Sequence, residues 1–317
     1  MGMRVRNRNI QQRIDNQLNK YNLVYNKVTG LYDCNGDVEV GQDLVSPDGK
    51  LIIKFGVVKG DFDCFNNNLI SLEGAPQIVG GDFDCSVNNL TSLEGAPQEV
   101  GGYFDCGANK LTSLEGAPQV VGGDFDCYNN QLTSLEGAPQ EVGGDFDCYN
   151  NQLTSLVEAP QKVGRDFNCK DNNLTSLEGA PKEVGGSFDC GYNHLISLEG
   201  APQEVGGSFR CSKNQLTSLE GAPKEVGGSF NCSGNELTSL EGATQEVDGD
   251  FDCRRNNQLT TLKGAPKKVG GSFRCDNNNL VFDEIHFYGC LPDVIGGELV
   301  AGKECNYELA KEYYDKK

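Results

Sequence analysis

One 21-residue unit recurs eleven times along this chain, and a repeat that regular leaves few folds open. Its consensus is F-x-C-x-x-N-x-L-T-S-L-E-G-A-P-x-x-V-G-G-x. Cys64, Cys85, Cys106, Cys127, Cys148, Cys169, Cys190, Cys211, Cys232 and Cys253 stand 21 residues apart, and Cys275 follows after 22. The longer step puts Arg254, Arg255 and Asn256 where the other copies have two residues. A fixed period of about 20–50 residues marks a solenoid, in which each coil contacts only its neighbours. Chemistry needs unlike side chains converging on one point, and near-identical coils do not supply them. The chain reads as a non-enzyme.

A solenoid core grows by stacking, so 317 residues need not split into two globular domains. The formal net charge of -19 argues against nucleic acid, whose phosphates call for Lys and Arg patches. No apolar run approaches the roughly 18–20 residues of a membrane-spanning helix, and the N-terminal stretch lacks the apolar core of a signal peptide.

Within one copy, Asp82-Phe83-Asp84-Cys85 alternates polar and apolar, the pattern of a short strand with Phe and Cys on its inner side. Eleven of the fourteen cysteines share that position and read as a column of buried thiols acting as small hydrophobes. Adjacent columns lie about 4.8 Å apart, within disulfide range but with parallel Cβ directions, so reduced core cysteines and a reducing compartment are expected, with some disulfide bonding or metal capture as the alternative. An Asn precedes the first Leu by two residues in every copy: Asn67, Asn88, Asn109, Asn130, Asn151, Asn172, Asn193, Asn214, Asn235, Asn257 and Asn278. Its amide both donates and accepts, so a stack of them can tie each coil to the next. Leu90 and Leu93 turn back into the core, and Glu94-Gly95-Ala96-Pro97 makes an extended or polyproline-like return limb. Gly80-Gly81 forms the last corner.

The spacing F-x-C-x-x-N-x-L resembles the leucine-rich-repeat core L-x-L-x-x-N-x-L, with Phe and Cys in place of the first two Leu. L-T-S-L-E-G-A-P is similar to the L-x-x-L-P-x-L-P limb of short repeats in secreted bacterial effectors. The resemblance spans residues 59–281. It implies a leucine-rich-repeat-like parallel β-sheet horseshoe of about eleven coils that binds proteins on its concave face. The Phe-x-Cys strand and E-G-A-P limb depart from the effector subtype and look more like repeat proteins of bacterial and large-phage genomes. No catalytic domain follows the repeats, so effector enzymology does not carry over.

The ends differ from the repeats. Residues 1–29 carry Arg4, Arg6, Arg8, Arg13, Lys20 and Lys27 against Asp15. Ile10, Ile14, Leu18, Tyr21 and Tyr25 form the stripe of an amphipathic helix. Two readings stand: a helix docking on the first coil, or an arm holding a partner or a second copy. Residues 30–58 read as a small β cap, and residues 282–317 as a C-terminal cap with a short helix from Lys303 to Tyr314.

Two positions per strand face the concave surface beside the Phe, the first interrupted by Tyr103 and several Ser. The first holds Asp61, Asp82, Asp124, Asp145, Asp166 and Asp250. The second holds Asp63, Asp84, Asp105, Asp126, Asp147, Asp189 and Asp252. Stacked carboxylates about 5 Å apart repel by roughly 0.8 kcal/mol per pair even at the dielectric of water. Such columns are either a solvated face or a ladder that receives a basic partner surface or weakly held cations. Calcium fails: the period is wrong, Phe stands where a β-roll needs Gly, and alternate strand residues lie about 7 Å apart. Without Cys-x-x-Cys there is no case for structural zinc. No cofactor is implied.

Tyr128, Tyr149 and Tyr192, with Arg210, Lys213, Arg254 and Arg274 in the later copies, are candidate anchors for a protein partner, since Tyr and Arg anchor interfaces. The sequence reading is therefore a protein-binding scaffold, located in the cytoplasm or on a virion. A structural role competes with it: a virion or surface component of phage type, serving as decoration or spacer and tethered through its basic N-terminal arm.

Overall fold

The computed structural model describes the backbone of residues 2–283 and 285–315 and the side chains of residues 10–283 and 285–313. Two compact units emerge, Met1–Asn151 with Glu158–Pro160, and Gln152–Val157 with Gln161–Lys317. Each is a stretch of parallel β-solenoid.

In the first unit, a hairpin pairs Val24–Asn26 with Leu31–Cys34. From there Leu31–Cys34, Phe55–Val58, Ile78–Val79, Glu99–Val100, Val120–Val121 and Glu141–Val142 pair in parallel, one strand per coil. A second parallel sheet runs through Val38–Glu39, Phe62–Asp63, Phe83–Asp84, Phe104–Asp105, Phe125–Asp126 and Phe146–Asp147. The second unit repeats this scheme, from Lys162–Val163 to Val294–Ile295 in one sheet and from Phe167–Asn168 to Leu299–Val300 in the other. The return limb thus contributes more than an extended connection. Its Val is buried in every copy and its backbone pairs with the next coil, which adds a second sheet before the Gly-Gly corner.

Beyond a register shift between Leu31–Cys34 and Phe55–Val58, each residue of the repeat strands pairs with its counterpart one repeat on, Phe125 with Phe146 and Asp126 with Asp147. Like side chains therefore stack in columns. In the first unit Phe62, Phe83, Phe104 and Phe125 lie near-parallel at centroid spacings of 5.6, 5.4 and 5.3 Å, within the range of favourable offset stacking. The Phe and Cys positions of the repeat are completely buried, as are the two Leu of each copy from Leu69 to Leu262. Burial drives the ladder thiols from Cys64 to Cys275 well above their ordinary pKa where a shift is seen, as at Cys106 and Cys211. Several donate to the next coil, such as Cys106 Sγ to the Asp126 carbonyl at 3.3 Å.

The asparagine column joins three strands of chain at once. Asn130 Nδ2 donates to the carbonyls of Cys106 and Cys127 at 3.1 and 3.2 Å, while its Oδ1 accepts the Leu111 N–H at 2.9 Å. Each such Asn stands three residues after its Cys. In the copy with the extra residue that rule selects Asn256, which donates to Cys232 and Cys253 and is fully buried. Asn257, the residue chosen by counting back from Leu259, lies outside the ladder. The side-chain amide has to reach two carbonyls beside the strand, so distance from the Cys governs and the surplus residue is extruded after it.

The residue two after each Cys takes a left-handed conformation in every copy, from Asn66 (φ 54°) to Asn277 (φ 60°). Asn and Gly tolerate that region, whereas a β-branched side chain is strained there. Val87 holds it at φ 54° with its side chain largely exposed. Val87→Asn is expected to stabilise the protein by about 0.5–1 kcal/mol. An increase in thermal midpoint of a few degrees is the expected reading, and an unchanged or lower midpoint would refute the strain.

At the N-terminal end the helix Gly2–Lys20 packs on the loop after the first coil. Arg13 donates to the carbonyls of Asp43, Gln42 and Val45 at 2.8, 2.9 and 2.9 Å, and Gln17 to the Asp43 carboxylate. At the other end the helix Tyr307–Asp315 follows a turn in which the Tyr288 hydroxyl accepts the Asn306 N–H. No helix among the described residues is long and apolar enough to cross a membrane.

Candidate functional site

The two aspartate columns, similar in sequence, do different work. In the first, each carboxylate accepts the backbone N–H of its counterpart one coil on: Asp61 from Asp82, Asp82 from Tyr103, Asp124 from Asp145. Where the later copies carry Ser, the hydroxyl takes over, as Ser208 Oγ does for the Ser229 N–H. Any short side-chain acceptor serves, which explains why Asp and Ser interchange here. This column is architectural.

The second column closes local turns. Asp63, Asp84 and Asp147 accept the N–H two residues on, from Phe65, Ser86 and Tyr149, each at 2.8 Å. Asp105 accepts from Gly107 at 2.7 Å. Only one carboxylate oxygen is used by each turn bond. Parallel register stacks Asp63, Asp84, Asp105, Asp126 and Asp147 side by side in the first unit. Between Asp61 and Asn151 the sequence holds a single basic residue, Lys110, and its ammonium donates to Asn89.

The tyrosines deepen the effect. Gly107 offers no side chain, and the Tyr128 ring fills that space, with ring atoms 2.5–2.9 Å from where a Cβ would stand. Its hydroxyl reaches back toward Asp105 at 3.4 Å. Burial pushes Asp105 up to about 6, opposed by the Gly107 N–H and assisted by the charge of Asp84. Asp126 rises to about 8, through burial first and then the charges of Asp105 and Asp147. Tyr103 and Tyr128 are each pushed to about 12 by burial and by the neighbouring carboxylates. Asp105 and Asp126 thus keep their protons to higher pH than an exposed carboxylate does, and their ionised forms are the ones the fold disfavours.

The candidate anchors of the later copies fall into separate places. Arg210 sits on a strand beside Asp189, whose pKa its charge lowers against the upward push of burial. Arg254 forks onto Asp252 at 2.9 and 2.7 Å, and Arg274 pairs with Asp250 at 3.1 Å. Both arginines are therefore engaged within the second unit. Tyr192 and Lys213 lie off the sheet face, at the left-handed turn position, where Lys170 approaches the Tyr192 ring at 5.0 Å. Arg13 is held by the three carbonyls described above, and the side chains of Arg4, Arg6 and Arg8 lie outside the described residues. The role of Gly107 as floor for Tyr128 escaped the sequence reading. Its signal is the small residue there, one coil before an aromatic in the same column.

Among the described residues no three His, Cys, Asp or Glu side chains form a group able to hold a metal ion.

No protein-family model matches the chain, and no curated protein matches it in sequence. Among solved structures it is similar to YopM from Yersinia enterocolitica WA-314, at 18% identity and a TM-score of 0.49, over 86% of this chain and 68% of that one. It is also similar to the functional domain of InlJ from Listeria monocytogenes, described as including a cysteine ladder. There the identity is 16% and the TM-score 0.43, over 76% of this chain and 62% of that one.

Proposed function

We propose that the protein is a non-catalytic, leucine-rich-repeat-like scaffold whose Asp84–Asp147 stripe receives a basic segment of a protein partner. The observation that supports this reading is the stack of half-buried Asp84, Asp105 and Asp126, with Asp126 raised to about 8 and, among the described residues, no ion pair to any of the three. A desolvated charge without a counter-ion is costly, and a partner's Lys or Arg offsets that cost. Tyr128 and Tyr149 border the stripe and supply rigid aromatic area for contact.

A cation arriving over Asp105 and Asp126 favours their ionised forms and displaces protons. Affinity is therefore expected to rise with pH between about 6 and 8, by roughly tenfold for each proton released per pH unit. The experiment captures partners from native lysate on the full chain, identifies them by mass spectrometry, and measures affinity at both pH values. Asp105→Asn with Asp126→Asn should weaken the complex and flatten its pH dependence, and Tyr128→Ala with Tyr149→Ala should weaken it further. Capture indifferent to all four changes would overturn the reading. If replacing Arg4, Arg6 and Arg8 by Glu abolished it instead, the contact would belong to the N-terminal arm.

A further inference from the structure

The second unit carries a cavity of about 590 Å³ lined by Lys213, Gly234, Glu236, Arg255, Asn257 and Asn277 among others. Its origin lies in the repeat. Lys213, Gly234, Arg255 and Asn277 occupy the same left-handed turn position in successive coils, at φ 59°, 69°, 58° and 60°. Their side chains form one column, and Gly234 leaves a gap in it. Lys213 lies across that gap: a Cβ on Gly234 would meet its Cδ, Cε and Nζ at 3.0, 3.2 and 3.4 Å. Arg255 stands on the other side, two coils from Lys213, or roughly 10 Å at the usual strand spacing.

Charge makes the gap more than a surface notch. Four other cations of this unit are paired, Arg254 with Asp252, Lys263 with Glu241, Lys268 with Glu246 and Arg274 with Asp250. Lys213 and Arg255 form no ion pair among the described residues. Glu236 is the single carboxylate lining the cavity, so the lining is net positive on a chain whose net charge is -19. Asn257, the residue extruded from the asparagine ladder, adds an amide donor, while the Asn277 amide already donates to the Asp276 carboxylate.

We infer that this cavity binds an oxyanion, a phosphate or carboxylate group, held between the Lys213 ammonium and the Arg255 guanidinium. Arginine offers such a group two parallel donors, and lysine a point charge. The anion would come either free from solution or as a surface carboxylate of a second copy of this acidic chain.

The test follows the amide resonance of Asn235, which lines the cavity and is unchanged in every variant, in the full-length protein during titration with inorganic phosphate. The expected result is a saturable one-to-one shift, weakened about tenfold or more in Lys213→Gln with Arg255→Gln. Gly234→Asn should abolish it, because other copies carry Asn at this position (Asn66, Asn129, Asn150), so the gap is filled without backbone strain. Sedimentation at low salt distinguishes the sources. Self-association that phosphate disperses and the double variant lacks would assign the carboxylate of a second copy. Saturable phosphate binding by a monomer would assign a free anion. An identical shift in all variants would mean an adventitious ion only and would overturn the site, as would the absence of both a shift up to about 50 mM phosphate and variant-sensitive association.

Discussion

Asn130→Asp is expected to destabilise the first unit by about 4 kcal/mol, the largest effect of any single polar change considered for this protein. The Asn130 amide donates to the carbonyls of Cys106 and Cys127 in a site only 8% exposed. Aspartate keeps the oxygen that accepts the Leu111 N–H but turns the donor into an acceptor. It then points a carboxylate at two carbonyl oxygens. The chain must break those contacts or hold a proton on a buried acid, and each route costs several kcal/mol. Stability in a solenoid is a sum of local terms, so hydrogen exchange is the better readout than a single melting curve. Protection of Leu111 and of the amides one coil to either side should collapse, with distant coils less affected. A loss below about 1 kcal/mol would show that the amide column is dispensable and that side-chain stacking alone holds the coils in register.

The second large effect runs the other way: Asp126→Asn should stabilise the protein at pH 8 by about 2 kcal/mol and leave it nearly unchanged at pH 4. Asp126 is raised to about 8 in the fold, by burial and by Asp105, Asp147, Asp124 and Asp145, against about 4 in the unfolded chain. Below about pH 4 both states are protonated and the group is neutral in effect. As pH rises from about 4 to 8 the unfolded chain has released its proton while the folded one retains it, so stability falls across that window. Asp105, raised to about 6, contributes in the same direction over the lower part of the range. Asparagine removes the titration. Denaturant midpoints at pH 4, 6 and 8 decide the matter: a wild-type midpoint that climbs toward pH 8, or an Asn variant weaker than wild type there, would overturn the account. Added salt should narrow the difference, since the stripe is partly open to solvent.

These two residues also separate what can be read along the chain from what cannot. The cysteine beat and the F-x-C-x-x-N-x-L spacing suffice for a parallel solenoid, because identical coils have no other way to bury identical Phe, Cys and Leu columns. The asparagine column was legible too, but its register was not. The copy with an extra residue has two adjacent asparagines, and only the position of the carbonyls identifies Asn256 over Asn257. The second sheet was missed because a two-residue strand has too little pattern to announce itself.

The candidate sites divide in the same way. Composition marks the early copies as acidic and the later ones as mixed, and nothing in the letters distinguishes the first Asp column from the second. Tertiary structure does. Asp61 and Asp82 face the next coil's N–H groups, whereas Asp105 takes the Gly107 N–H on one oxygen and the Tyr128 hydroxyl on the other, with Asp126 stacked beside it. Likewise Arg254 and Arg274 look like Lys213 and Arg255 in sequence. The first two are matched with Asp252 and Asp250, and the others face a gap left by Gly234. The repeat by itself determined the coil, its core and its stacking, since these depend on which residues recur. Which charges are balanced and which are left over depends on neighbours 21 residues away on adjacent coils, and only the stacked structure decides that.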